Sequence, residues 1–119
     1  MASKSGSALV IGAGISGIRS AIDLAETGYQ VYLVDKAPHI GGILEQLDHQ
    51  FPTNRCGMCK MMPAAEPDQA IQQCLRRGLF HENIEVLPAA EVTEISGEAG
   101  SFSATLHQHP TLVDPNRCV

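Results

Sequence analysis

The stretch Val10-Ile11-Gly12-Ala13-Gly14-Ile15-Ser16-Gly17 decides how this chain folds. The apolar run at 8–11 reads as a buried strand that stops at Gly12. From 15 to 26 the apolar residues Ile18, Ala21, Ile22 and Ala25 recur at helical spacing, and Gly28 stands where a helix would stop. A second apolar run, 31–34, ends at Asp35. Strand, tight turn, helix and strand within about thirty residues is the size of a βαβ unit, whose crossover makes the two strands parallel and the connection right-handed.

Gly12-x-Gly14-x-x-Gly17 would be a weak signal alone. Between a strand and a helix, with an acidic residue ending the next strand, it is a strong one for dinucleotide binding. Gly12 allows the sharp turn off the strand. Gly14 lets a pyrophosphate approach bare backbone, and Gly17 lets the helix pack closely. The N–H groups around Ile15, Ser16 and Gly17 lie at the positive end of the helix, where they attract a diphosphate. Asp35 can accept hydrogen bonds from both ribose hydroxyls and would repel a 2′-phosphate. Ala21 and Gly28 need no more than a packing and a capping role.

Downstream the pattern first weakens. Residues 36–64 hold Gly41–Gly42, three prolines and the pair Cys56/Cys59, and read as a long loop with a short helix near 43–48. Pro67 then suits an early helical position, Ile71, Cys74 and Leu75 form an apolar stripe, and Gly78 ends the helix. Residues 84–87 read as a third parallel strand, and 90–96 with 101–107 as a hairpin across 97–100. The expected class is α/β: a Rossmann-like βαβ parallel sheet with a C-terminal β-hairpin.

The 119 residues suit one small domain, and an apolar share of 44% suffices for a modest core. A formal charge of −5 argues against nucleic acid as a main partner. No apolar run approaches a membrane span. Residues 1–7 are small and polar and read as a flexible terminus; without the apolar core of a secretory signal, a cytoplasmic location is expected.

Two levels of resemblance sharpen this reading. Gly41–Gly42, shortly after Asp35-Lys36-Ala37-Pro38, resembles the glycine pair of glutathione-reductase-like FAD domains, and favours FAD over NAD. In that class a later strand supplies backbone groups to the adenine ring, and Val92 stands at the matching position; Lys36, beside the acidic residue, joins the cofactor-binding set. Glu is commoner there than the Asp35 found here. More widely, Val10-Ile11-Gly12-Ala13-Gly14-Ile15-Ser16-Gly17, Ile40-Gly41-Gly42, Gln46-Leu47-Asp48, Phe51-Pro52-Thr53-Asn54-Arg55-Cys56-Gly57-Met58-Cys59 and Val113-Asp114-Pro115-Asn116-Arg117-Cys118 resemble the A subunits of heterodisulfide reductases. The phenylalanine-to-cysteine stretch is far more specific than the glycine motif.

That resemblance implies the FAD-binding first half of a flavin and iron–sulfur oxidoreductase that passes electrons between carriers. It implies partners such as sister reductase subunits or ferredoxin, and a [4Fe–4S] cluster in the full-length protein. Residues 8–109 would form the FAD-binding unit. Residues 110–119 would open a ferredoxin-like insert, with Cys118 a metal ligand if the motif continues, so the chain reads as a fragment.

The cysteine pair keeps three readings. Cys56 and Cys59 could ligate a cluster, could form a dithiol–disulfide pair that relays electrons, or could be inert thiols. Their place on a loop after Gly41–Gly42 favours a redox role. Cys74 is expected in the core. Among His39, His49, His81, His107 and His109 the spacing suggests no metal site, and His49 near the cysteines is a candidate proton donor. Met58, Met61 and Met62 would pack the loop against a neighbour. The alternatives in other classes are a stand-alone NAD or ADP module and an assembly fragment without catalysis.

Overall fold

The computed structural model describes residues 6–47, 79, 81–110, 112–114 and 116–117. The expected helix after Pro67, Cys56, Cys59, Cys74, Cys118, His49 and the three loop methionines lie outside the described residues.

Strand β1 (Ser7–Ile11), helix α1 (Ile15–Glu26) and strand β2 (Gln30–Val34) form the anticipated βαβ unit. Strand β3 (Ile84–Leu87) adds to the free side of β2, giving a parallel sheet in the order β1-β2-β3. The register pairs Val10 with Leu33 and Leu33 with Val86. Residues paired in a parallel ladder share a face, so one face carries Val10, Leu33 and Val86, with Val31 and Ile84 beside them. This face receives α1. The fully buried Ile18 and Ala21, with Ile22 and Ala25, meet Val31 and Leu33 there in one core cluster. The small Ala21 and Ala25 let the helix axis approach the sheet, while Ile18 supplies bulk.

The helix ends as its glycine predicts. Gly28 takes φ +97°, its N–H donates to the Ala25 carbonyl at 3.0 Å, and the Tyr29 N–H reaches back to the Leu24 carbonyl at 3.2 Å. These crossed bonds satisfy carbonyls that the helix leaves without partners, and they turn the chain into β2. After β2 comes a 3-10 turn at Gly42–Gln46, shorter than the helix expected near 43–48.

The hairpin consists of β4 (Ala90–Glu98) and β5 (Ser101–Gln108). Its arms run further than expected, because Gly97 stays in the ladder opposite Phe102 and only Ala99 and Gly100 form the turn. At Gly97, with φ +103°, a Cβ would collide with the Ser101 carbonyl oxygen, so glycine lets the arms close tightly. A bulge at Thr93 shifts the register between Val92 and Glu94. The hairpin is tied to the parallel sheet at its base, where the Ala90 N–H donates to the Asp35 carbonyl at 2.9 Å. Among the described residues no helix is long and apolar enough to cross a membrane.

Candidate functional site

The site lies where β1 gives way to α1, at the C-terminal edge of the parallel strands. The chain leaves β1 at Gly12, whose φ of +103° takes it out of the region open to other residues, and whose N–H donates to the Val34 carbonyl at 2.7 Å. Gly14 is the N-cap residue of α1, and no side chain of the described residues caps the helix. Helix geometry leaves the first N–H groups of α1 without intrahelical acceptors and concentrates positive potential there. Among the described residues a Cβ on Gly14 would meet no atom within 4 Å, so they leave the backbone here open to a ligand.

Gly17 is closed in. A Cβ there would collide with the Gly12 carbonyl oxygen and touch the Val10 side chain. The close approach expected of Gly17 is therefore mainly to the backbone of its own loop.

A cleft of about 440 Å³ opens over this turn, lined by Ile11, Gly12, Gly14, Ile15, Ser16 and Gly17 on one side and Gly41, Ile43 and Leu44 on the other. Gly41, of the glycine pair after β2, thus lines the same cleft as the glycine loop. Gly41 and Gly42 adopt φ +119° and +62°, and the Gly41 N–H donates to the Ala13 carbonyl at 2.7 Å.

Asp35 follows β2 with its carboxylate turned toward the same loop. Oδ2 accepts the Ala13 N–H at 2.7 Å, and Oδ1 accepts the Ala37 N–H at 2.8 Å. A carboxylate has about four acceptor sites, so these bonds leave capacity for hydroxyl donors. Lys36 is exposed, and neither it nor Val92 lines the cleft. The strand carrying Val92 nevertheless starts beside Asp35. The Ala89 N–H donates to the Ala37 carbonyl at 2.9 Å, next to the Ala90 bond to Asp35. The structure therefore places Gly12, Gly14, Ile15, Ser16, Gly17 and Gly41 on the cleft, holds Asp35 and Gly42 against the same loop without lining it, and sets Lys36 and Val92 at the margin.

Four residues of the site escape a reading of the sequence. Ala13 is fully buried and works through its backbone, and an alanine between glycines announces no such role. Ile11, Ile43 and Leu44 give the cleft apolar walls. Ile11 and Ile43 are 60% and 74% exposed, and large apolar side chains left open at a cleft are the signal that marks them. His107 and His109 meet edge to face at 4.9 Å at the end of β5, away from the cleft. Among the described residues no group of three or more His, Cys, Asp or Glu side chains is arranged to hold a metal.

Comparison with known proteins agrees with this fold. The model of the NAD(P)-binding Rossmann-like domain matches residues 10–74. The chain is 41% identical over 111 residues to an iron-sulfur A subunit of the CoB–CoM heterodisulfide reductase of Methanopyrus kandleri, covering 93% of this chain and 15% of that protein. It is 43% identical over 116 residues to the A subunit of the H2/formate:CoB-CoM heterodisulfide,ferredoxin reductase of Methanococcus maripaludis, covering 94% and 16%. The chain thus spans about one-sixth of the length of these curated relatives. Among solved structures, the bacillithiol disulfide reductase of Staphylococcus aureus shares the fold with a TM-score of 0.57 at 16% identity, over 87% of this chain and 34% of that one. The chain belongs to the NAD(P)-binding Rossmann-like domain family, and its likeness to heterodisulfide reductase A subunits extends over nearly its whole length.

Proposed function

We propose that this chain is the ADP-binding portion of an FAD-dependent oxidoreductase of the heterodisulfide reductase A type. The diphosphate would rest on the amides from Gly14 to Gly17. The ribose hydroxyls would meet Asp35, with Lys36 alongside, and the Gly41–Gly42 turn would close the opposite wall. The adenine would lie toward the start of β4 near Val92. The observation that carries this reading is the pairing of a Gly14 left open by the described residues with a carboxylate held against the same loop, 2.7 Å from the Ala13 amide nitrogen. An anion and a diol are the two groups such a pair can receive together. When bound, FAD would supply the two-electron chemistry; this chain would bind and orient its nucleotide end.

Cys56 and Cys59 are proposed as a redox-active pair, either cluster ligands or a dithiol. Cys118 is proposed as a ligand of a [4Fe–4S] cluster in the longer protein, with 110–119 the beginning of an insert after the unit at 8–109. The named relatives are parts of reductases, and one carries ferredoxin in its name, which supports sister subunits and ferredoxin as partners.

Calorimetric titration of the purified chain with FAD, ADP, NAD and NADP, beside its absorbance spectrum, tests the proposal. Binding of FAD and ADP with weak or no binding of NADP is the expected result. A colourless protein that takes NAD and ignores FAD makes it a nucleotide module of another class, and binding of none of the four leaves an assembly role.

A further inference from the structure

The glycine loop is gripped at one residue from two sides. Ala13 is fully buried, its N–H is held by Asp35 Oδ2 at 2.7 Å, and its carbonyl is held by the Gly41 N–H at 2.7 Å. The preceding Gly12 N–H is held by the Val34 carbonyl at 2.7 Å. The loop thus divides. Both polar groups of Ala13 and the Gly12 N–H go to protein partners, while Gly12, Gly14, Ile15, Ser16 and Gly17 line the cleft around the buried Ala13.

We propose that Asp35 is a positioning residue for the glycine loop in the ligand-free protein, acting through the Ala13 N–H, in addition to any contact with a ribose. The second carboxylate oxygen anchors it by accepting the Ala37 N–H, so the side chain bridges two backbone segments that are 24 residues apart. The two jobs are compatible, because two amides occupy about half of a carboxylate's acceptor sites. A loop preset in this way does not have to be ordered when the ligand arrives, which removes a cost from binding. The inference rests on the proposed function only where affinity is concerned; the bridge itself belongs to the chain without ligand.

Amide hydrogen exchange, followed by NMR on the ¹⁵N-labelled 119-residue chain without ligand, tests it. In Asp35→Ala the Ala13 and Ala37 amides should exchange at least about tenfold faster, the loss expected for a hydrogen bond to a charged acceptor. The Gly12 amide, bonded to Val34, should keep its protection. Asp35→Asn serves as the second variant and keeps the proposal testable if Asp35→Ala does not fold. Its carboxamide has one acceptor oxygen and turns an NH₂ toward the other amide, so it should protect one of the two amides and not both.

Unchanged exchange at Ala13 and Ala37 in the folded variants overturns the proposal. So does a uniform acceleration that includes Gly12 in Asp35→Asn, which would mark general destabilisation. A parallel titration of the wild-type chain with ADP separates this proposal from the preceding one. Failure to bind ADP, with the expected exchange pattern, removes the function and leaves the bridge; ADP binding with unchanged exchange does the reverse.

Discussion

Gly42 crosses the glycine loop so closely that a Cβ on it would lie 3.2 Å from the Cα of Gly14. The two loops therefore approach each other at these glycines, and the second pair is part of the architecture that sets the first. Gly42→Ala should show this. Its φ of +62° is left-handed, which costs an L-residue roughly 1–2 kcal/mol. The added methyl would then press on Gly14, and relief would come from displacement of one loop. Chemical denaturation should report a loss of about that size, and ADP titration a weaker affinity. Wild-type affinity in a folded Gly42→Ala protein would argue that the two loops do not need to touch.

Gly14 and Gly17 should separate cleanly as binding and packing glycines. Gly14 has φ −79°, which alanine adopts without strain, and among the described residues nothing lies within 4 Å of its missing Cβ. Gly14→Ala should leave stability within about 1 kcal/mol of wild type while obstructing the approach of a phosphate. Gly17→Ala puts a methyl onto the Gly12 carbonyl oxygen, and backbone cannot step aside cheaply. A loss of about 2–3 kcal/mol is expected, in the range of overpacked sites. Paired denaturation curves and ADP titrations check both, and equal stability losses in the two variants would contradict the assignment.

The same contrast explains what can be read from the sequence. Helix α1 is legible to the residue, because Ile18, Ala21, Ile22 and Ala25 mark its buried stripe and Gly28 supplies the left-handed stop. The strand after it is legible for the same reason, as an apolar run closed by Asp35. The hairpin is legible as an element but its turn is not: Gly97 looks like a turn glycine, yet it stays paired and serves the close approach to Ser101. Ala13 is opaque. Its role lies in backbone groups whose partners, Asp35 and Gly41, stand 22 and 28 residues away, and no residue type signals such a contact. The walls at Ile43 and Leu44 look like part of a short helix, since local spacing does not reveal which loop will face them.

Ala89 is another position that residue type conceals. It lies at φ +50°, in the left-handed region, between a bond from its N–H to the Ala37 carbonyl at 2.9 Å and one from the His109 N–H to its own carbonyl at 2.8 Å. Both bonds fix the hairpin base beside Asp35, so the surroundings hold the strained conformation in place. Glycine would relieve the strain of roughly 1–2 kcal/mol and would also loosen the unfolded chain by about 0.4–1 kcal/mol. Ala89→Gly should therefore be neutral to slightly stabilising, and the β-branched Ala89→Val clearly destabilising. Thermal melts of the two variants check the order, and a reversal would mean that the left-handed backbone is not maintained.

Two consecutive helix residues provide the calibration for all these numbers. Ile18 is fully buried against Val31 and Leu33, whereas Arg19 forms an i,i+4 ion pair with Asp23 at 3.0 Å on the exposed side, with the two side chains 39% and 52% accessible. An exposed pair gains little Coulomb energy in water and spends side-chain entropy to form, so its worth is about 0.3–0.5 kcal/mol. Ile18→Ala removes three methyl or methylene groups from a site where the sheet cannot collapse around the void, and should cost about 2–5 kcal/mol. Arg19→Ala should cost less than about 0.5 kcal/mol, because alanine also restores helix propensity. Denaturation midpoints at low and high salt distinguish the mechanisms: the Ile18 loss should be insensitive to salt, and the Arg19 effect should shrink as salt screens the pair. An Arg19 loss comparable to that of Ile18 would mean that the outer side of α1 is not a solvated face, and the packing order argued for this sheet would have to be inverted.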